Sequence, residues 1–156
     1  MSLESVRAWL QAHAPDLPVI EVEESTATVA EAAAALGVAP ERIVKTLALR
    51  VAGEALLVVA SGTARIDNHK TKAAFGGRPR MLGAEETLAL TGHPVGGVCP
   101  FGLATPLPVW LDGSLKGFDL VYPAAGSLTS SVEVAPERLA ALVARGWTDV
   151  CRMPES

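Results

Sequence analysis

Two features of this sequence could carry chemistry. Lys45 interrupts an otherwise apolar run, IVKTLAL at residues 43–49, and no acid lies within that run to pair with it. A lysine in a buried strand is costly unless its ammonium meets an anion or reaches water. It either guards a sheet edge against association or points a cation into a cleft, towards a phosphate or an ester carbonyl. The second feature is GGVCPFGLATPLPVW, residues 96–110, with three glycines, three prolines and no charge. Gly96 and Gly97 leave backbone N–H groups unshielded, and Pro100 stiffens the chain beyond them. Aimed at one point, such donors make an oxyanion hole or a carbonyl clamp, strengthened by a dry apolar wall. The alternative is a buried turn beneath a sheet.

Weaker signals surround these two. Cys99 could be a nucleophile only with a base and a lowered pKa, and His93, six residues earlier, does not establish one. Cys99 is therefore read as a small residue lining a pocket. The turn Ala124–Ser127 follows a strand, where small residues line a site or simply turn the chain. Asp67 can cap a short helix and Lys70 can face a phosphate. The motifs of nucleotide loops, nucleophile elbows and zinc sites are absent. His13, His69 and His93 lie far apart, each read as a surface or cap residue. No metal and no cofactor is expected.

The 156 residues suit one domain, 1–156, and 49% of them are apolar, with aromatics at only 4%, so Ala, Val and Leu must build the core. There is no run of eighteen apolar residues, and the N-terminus reads as an amphipathic helix instead of a signal peptide. Two sparse cysteines favour reduced thiols and a cytoplasmic protein. The net charge of −4 argues against nonspecific wrapping of nucleic acid, DNA included. Residues 65–80 nevertheless gather Arg65, Lys70, Lys72, Arg78 and Arg80 against Asp67 alone. That patch suits brief contact with one phosphate-rich end, or is a solvated face.

Periodicity and punctuation place the elements. A helix runs from Ser2 to Ala14, ended by Pro15, and PVIEVE alternates as a strand. Thr28 and Glu31 form a capping box for an alanine-rich helix stopping at Gly37. Pro40 opens one more turn. Two strands flank Ala52-Gly53-Glu54. Short helices end at Gly76 and Gly92. PVWLD, FDLVYPAAGS and SSVEV read as strands, a helix starts at Pro136, and a last strand covers Trp147–Cys151. Hairpins mixed with helical connections predict an α+β or mixed α/β fold.

ERIVKTLALR, IDNHKTKAAFGG, GGVCPFGL and YPAAGS occur in this order and at this spacing. They resemble the YbaK/ProX family, free-standing relatives of the editing domain inserted in bacterial prolyl-tRNA synthetase. The resemblance covers nearly the whole chain, and the lysine strand with the GxxxP loop is its most specific part. It implies a compact, largely antiparallel, partly barrel-like sheet flanked by helices. The implied activity is hydrolysis of the ester between a wrong amino acid and its tRNA, with the acceptor end as partner. Whether a prolyl-tRNA synthetase also takes part is left open.

On that resemblance Lys45 lies near the terminal adenosine and the ester. The loop Gly96–Pro100 brings backbone amides to the aminoacyl carbonyl, with Val98, Cys99 and Phe101 beside the substrate. Gly126 and Ser127 form the strand-end turn. The residues' own charge pattern adds Asp67 and Lys70 at the substrate, and weak contact with the tRNA acceptor end through Arg65, Lys72, Arg78 and Arg80. The sequence departs where some members close the pocket with an aromatic residue: Glu23 and Thr28 stand around those places. A further wall position is Ala124 or Ala125, so the removed amino acid, read as a small one such as Ala, Cys, Ser or Thr, cannot be copied from any member.

Overall fold

The computed structural model describes residues 2–154. Its centre is a hairpin of β2 (Ile43–Val51) and β3 (Glu54–Ser61), paired antiparallel from Val44↔Ser61 to Val51↔Glu54. Ala52 and Gly53 turn it with φ of 52° and 83°. Positive φ at both positions matches the right-handed strand twist, and glycine supplies one of them without strain. Both faces of the hairpin are covered, so these strands read as nearly continuous apolar runs instead of alternating ones. Val44, Ala48, Leu57 and Val59 face one core cluster; Leu49, Val51, Leu56, Val58 and Ala60 face another.

The hairpin nucleates a six-stranded mixed sheet. β6 (Val109–Asp112) joins β3 in parallel, and β9 (Gly146–Thr148) joins β6 in parallel. On the other side of β2 lie two short strands, β5 (Arg80–Met81), antiparallel, and β7 (Tyr122–Pro123), parallel. Two antiparallel pairs stand apart: β1 (Val19–Glu21) with β8 (Ser130–Val132), and β4 (Arg65–Ile66) with β10 (Cys151–Arg152). α1 (Ser2–His13) buries Val6 and Leu10 against the first cluster, as does α5 (Pro136–Val143) through Leu139. α2 (Val29–Leu36) packs Ala32 and Ala33 on Ile43. α3 (Asn68–Phe75) and α4 (Ala84–Thr91) end at Gly76 and Gly92, both in the left-handed conformation.

The fold is α+β with a mixed sheet, as expected, but the sheet is open instead of closing on itself. Three local expectations change. The capping box forms with Thr28 Oγ1 accepting from the Glu31 N–H at 3.1 Å, but the Glu31 carboxylate accepts from the Thr28 hydroxyl at 3.0 Å instead of reaching backbone. FDLVYPAAGS pairs as a strand only at Tyr122–Pro123, with single bridges at Val121 and Ala124. Pro123 lacks an N–H and Gly126, at φ 90°, turns the chain away. The last strand divides into β9 and β10 because the N–H groups of Val150 and Cys151 donate to the Asp112 carboxylate at 2.9 and 3.1 Å. Asp112, 2% exposed, also accepts from Ser114 N–H at 2.9 Å and so ties β6 to the chain's last strand.

Candidate active site

The site is a gap in the sheet. Along its outer edge β2 is paired by β7 at Ile43 and Val44 and by β5 at Leu49 and Arg50. Leu82 N–H donates to the Ala48 carbonyl at 3.0 Å. Since strand residues alternate the direction of their backbone groups, Thr46, two residues before Ala48, turns its N–H and C=O to the same outer side. Neither short strand reaches it. A cavity of about 230 Å³ opens at this place. Its wall is mainly apolar, with Val29, Ile43, Ala48 and Leu82, and the polar lining includes Thr26, Thr46, Lys45 and Ser131.

Lys45 is half-buried and has no carboxylate partner among the described residues. Burial holds its ammonium below the ordinary lysine range, opposed by nearby Cys151 and reinforced by the charge of Arg65. It lines this cavity and also a second hollow beyond it.

The glycine loop supplies part of the same lining. Gly96 and Val98 line the cavity. Gly97 does not offer its amide, because its N–H donates to the Pro94 carbonyl at 2.9 Å in a tight turn. Among the described residues, Gly96 and Val98 make no hydrogen bond, which leaves their N–H groups as the loop's donors at the wall. Gly96 has φ 93°, and a Cβ there would stand 2.8 Å from Leu128 Cδ2 and 3.1 Å from Ala27 Cβ. Only glycine fits that backbone and that space.

Cys99, Pro100 and Phe101, placed at the pocket from sequence, lie beneath it; Cys99 and Phe101 are both 0% exposed. Burial pushes the Cys99 thiol up to about 12, against a smaller opposing effect of the Phe101 carbonyl. A thiol so held is no nucleophile at neutral pH. His93, expected at the surface, is fully buried beside it. Its Nε2 bonds the Phe101 carbonyl at 2.7 Å and its Nδ1 bonds the Ser2 hydroxyl at 2.6 Å. Nε2–H must donate to the carbonyl, and with burial favouring the neutral ring, Nδ1 accepts from the Ser2 hydroxyl. Burial lowers its pKa, with the Phe101 bond opposing.

Of the two alternative wall positions, Ala124 lines the cavity and Ala125 is buried in the core. Gly126 presses on α1, where a Cβ would stand 2.8 Å from the Ser2 carbonyl. The Ser127 hydroxyl pairs with that of Ser130 at 2.6 Å. Thr28 stands at the rim, but Glu23 does not reach the cavity. Asp67 caps α3, accepting from Lys70 N–H at 2.9 Å. The Lys70 ammonium is engaged with Asp149 at 3.0 Å and the Cys151 carbonyl at 2.9 Å. Neither lines the cavity. Arg65, Lys72, Arg78 and Arg80 are exposed. Sequence reasoning missed the Thr46 backbone, Thr26, Tyr122, Ser131 and the rim residues Met81 and Val95. The short partner strands that leave Thr46 bare have no periodicity to read at two residues each.

An open mixed sheet with a cavity at a lysine-bearing strand, walled by a glycine loop, defines an editing-domain architecture. The family model of the aminoacyl-tRNA editing domain matches residues 23–142, and the chain belongs to that family. It is 46% identical to the uncharacterized protein YwhH of Bacillus subtilis (strain 168), over 97% of this chain and 98% of that protein. It is 35% identical over 92 residues to the proline–tRNA ligase of Pelobacter propionicus, covering 58% of this chain but 16% of the ligase. Among solved structures, a candidate trans-editing enzyme for prolyl tRNA synthetase superposes with a TM-score of 0.88 at 36% identity, covering 97% of both chains. Among the described residues no helix is long and apolar enough to cross a membrane, and no group of three His, Cys, Asp or Glu side chains could hold a metal ion.

Proposed function

We propose that this chain, acting as a single domain, is a trans-editing deacylase that hydrolyses the ester of a mischarged aminoacyl-tRNA, tRNA for proline carrying a small wrong amino acid. The observation that carries the reading is a small, mainly apolar cavity lined both by a lysine without a carboxylate partner and by residues whose backbone N–H groups make no hydrogen bond among the described residues. A volume of about 230 Å³ suits a small aminoacyl group with part of its ribose. Exclusion of a larger one by that wall is the second sieve a synthetase needs, since one methylene gives only about 1–3 kcal/mol of discrimination.

An aminoacyl ester is already activated, and the neighbouring 2′-hydroxyl of the terminal ribose, or a water it orients, can attack the carbonyl. The protein's part is then positioning and charge stabilisation. Lys45 anchors the terminal nucleotide beside the ester. The N–H groups of Gly96 and Val98, in place of that of Gly97, receive the developing oxyanion. The Thr46 backbone offers a further donor and acceptor to the substrate's polar groups.

Purified protein and its Lys45→Ala variant would be assayed on a panel of mischarged tRNAs. Release of one or a few small amino acids by the wild type alone is expected. Equal activity of the variant would remove Lys45 from the mechanism, and no release from any tRNA by folded protein would sink the editing reading.

A further inference from the structure

Lys45 and Met81 line both the cavity and a second hollow on the far side of β2. That second hollow is basic. Besides Lys45 it is lined by Arg65 on β4 and Arg152 on β10, and no carboxylate lines it. The two arginines are direct cross-strand partners in the antiparallel pair. Like charges placed opposite each other in a sheet destabilise it. Neither arginine is relieved by a salt bridge among the described residues. The charge of Arg152 acts on the Asp67 carboxylate, but an oxygen of that carboxylate is engaged as the α3 cap. Three cations thus line one concave surface, and a bound anion would relieve the repulsion among them. Lys70 takes no part, being engaged with Asp149.

We propose that Arg65 and Arg152 form a phosphodiester subsite for the 3′ end of the RNA, reached from the cavity across a saddle made by Lys45 and Met81. This rests on the editing reading above. With the aminoacyl group in the cavity, the terminal nucleoside lies over the saddle, where Met81, 58% exposed, offers an apolar surface to it. The linkage to the preceding nucleotide then falls to the paired guanidinium groups, whose planar forks suit phosphate oxygens. Arg152 is the unforeseen member: it is 87 positions from Arg65 in sequence and meets it only through the β4–β10 register.

The test compares two substrates carrying the same amino acid: the mischarged tRNA that the wild type hydrolyses, and the matching 3′-O-aminoacyl-adenosine, which has no phosphate. Arg65→Gln, Arg152→Gln and the double variant are expected to raise KM for the tRNA by about threefold to tenfold each with little change in kcat. The double variant should flatten the log–log salt dependence by about 0.7, the share of one single-strand phosphate, and each single variant by part of that. Hydrolysis of the adenosine ester should stay at the wild-type rate, which also shows that the variants fold. Unchanged tRNA kinetics, or equal losses on both substrates, would overturn the subsite. If the wild type hydrolysed neither substrate, the editing reading itself would fall, and the subsite with it.

Discussion

Gly97 lies so close to the Ser127 backbone that a β-carbon on it would stand 3.0 Å from the Ser127 nitrogen, 3.1 Å from the Gly126 carbonyl carbon and 3.2 Å from the Ser127 carbonyl carbon. The glycine loop and the strand-end turn, thirty residues apart, therefore set each other's position. Gly97→Ala must push backbone against backbone. The loop is expected to shift and carry the Gly96 and Val98 donors with it, lowering kcat on mischarged tRNA by about a hundredfold to a thousandfold, the scale of one lost oxyanion donor. Single-turnover deacylation checks it; unchanged turnover would mean that the loop donors do not act in the chemistry.

Lys45 should trade stability against activity. A half-buried ammonium without an anionic partner is a liability in the empty protein. Lys45→Met keeps the stem and removes the charge. Its melting temperature is expected to equal or exceed that of the wild type while deacylation is lost. A variant that melts well below the wild type would show that the lysine holds the fold instead of the substrate.

Cys99 should prove chemically silent. Its thiol is fully buried and raised to about 12 by that burial. Cys99→Ala is expected to retain turnover within about threefold of wild type while losing about 1–2 kcal/mol of stability to the cavity left behind. Iodoacetamide at neutral pH should leave Cys99 unlabelled in the folded protein and label it in urea, read by mass spectrometry.

Asp112 should matter far more than its distance from the cavity suggests. Its carboxylate receives three backbone N–H groups, those of Ser114, Val150 and Cys151. Asp112→Ala leaves buried donors unpaired, so a loss of about 3 kcal/mol or more in urea unfolding is expected. Because β10 carries Arg152, this variant should also weaken tRNA binding at temperatures where the rest of the protein remains folded.

His93 predicts acid sensitivity. Burial lowers its pKa in the folded protein from the ordinary 6.5. The unfolded chain then binds the proton more readily, so this contribution to stability is full above pH 6.5 and declines as pH falls below it. Urea midpoints measured from pH 7.5 to 5.0 should drop below 6.5, and His93→Gln should flatten that part of the curve.

The helices and the central hairpin were legible because their signals are local: Thr28 with Glu31, Gly37, Gly76 and Gly92 as stops, Ala52-Gly53 between apolar runs. Lys45 and the loop at 96–100 stood out because each breaks the pattern around it. What escaped is non-local. The gap at Thr46 exists because β5 and β7 are too short to meet, and both are two residues long. Asp112 and His93 looked like ordinary polar residues; only packing of the C-terminal strand and of α1 over them reveals their bonds. Ala124 and Ala125 could not be told apart until the turn showed which side faced the cavity. Lys70 read as a free cation because its partner, Asp149, is 79 positions away.

The bare edge at Thr46 has a consequence for how such a protein can diversify. Its donor and acceptor belong to the main chain, as do the amides of Gly96 and Val98, so no side-chain exchange short of proline removes them. The size and polarity of the chamber, by contrast, rest on replaceable side chains such as Thr28, Ala124 and Val29. On the proposed function, lineages could therefore drift in which amino acid they discard while inheriting the reaction unchanged. Selection on specificity and selection on catalysis then act on different atoms.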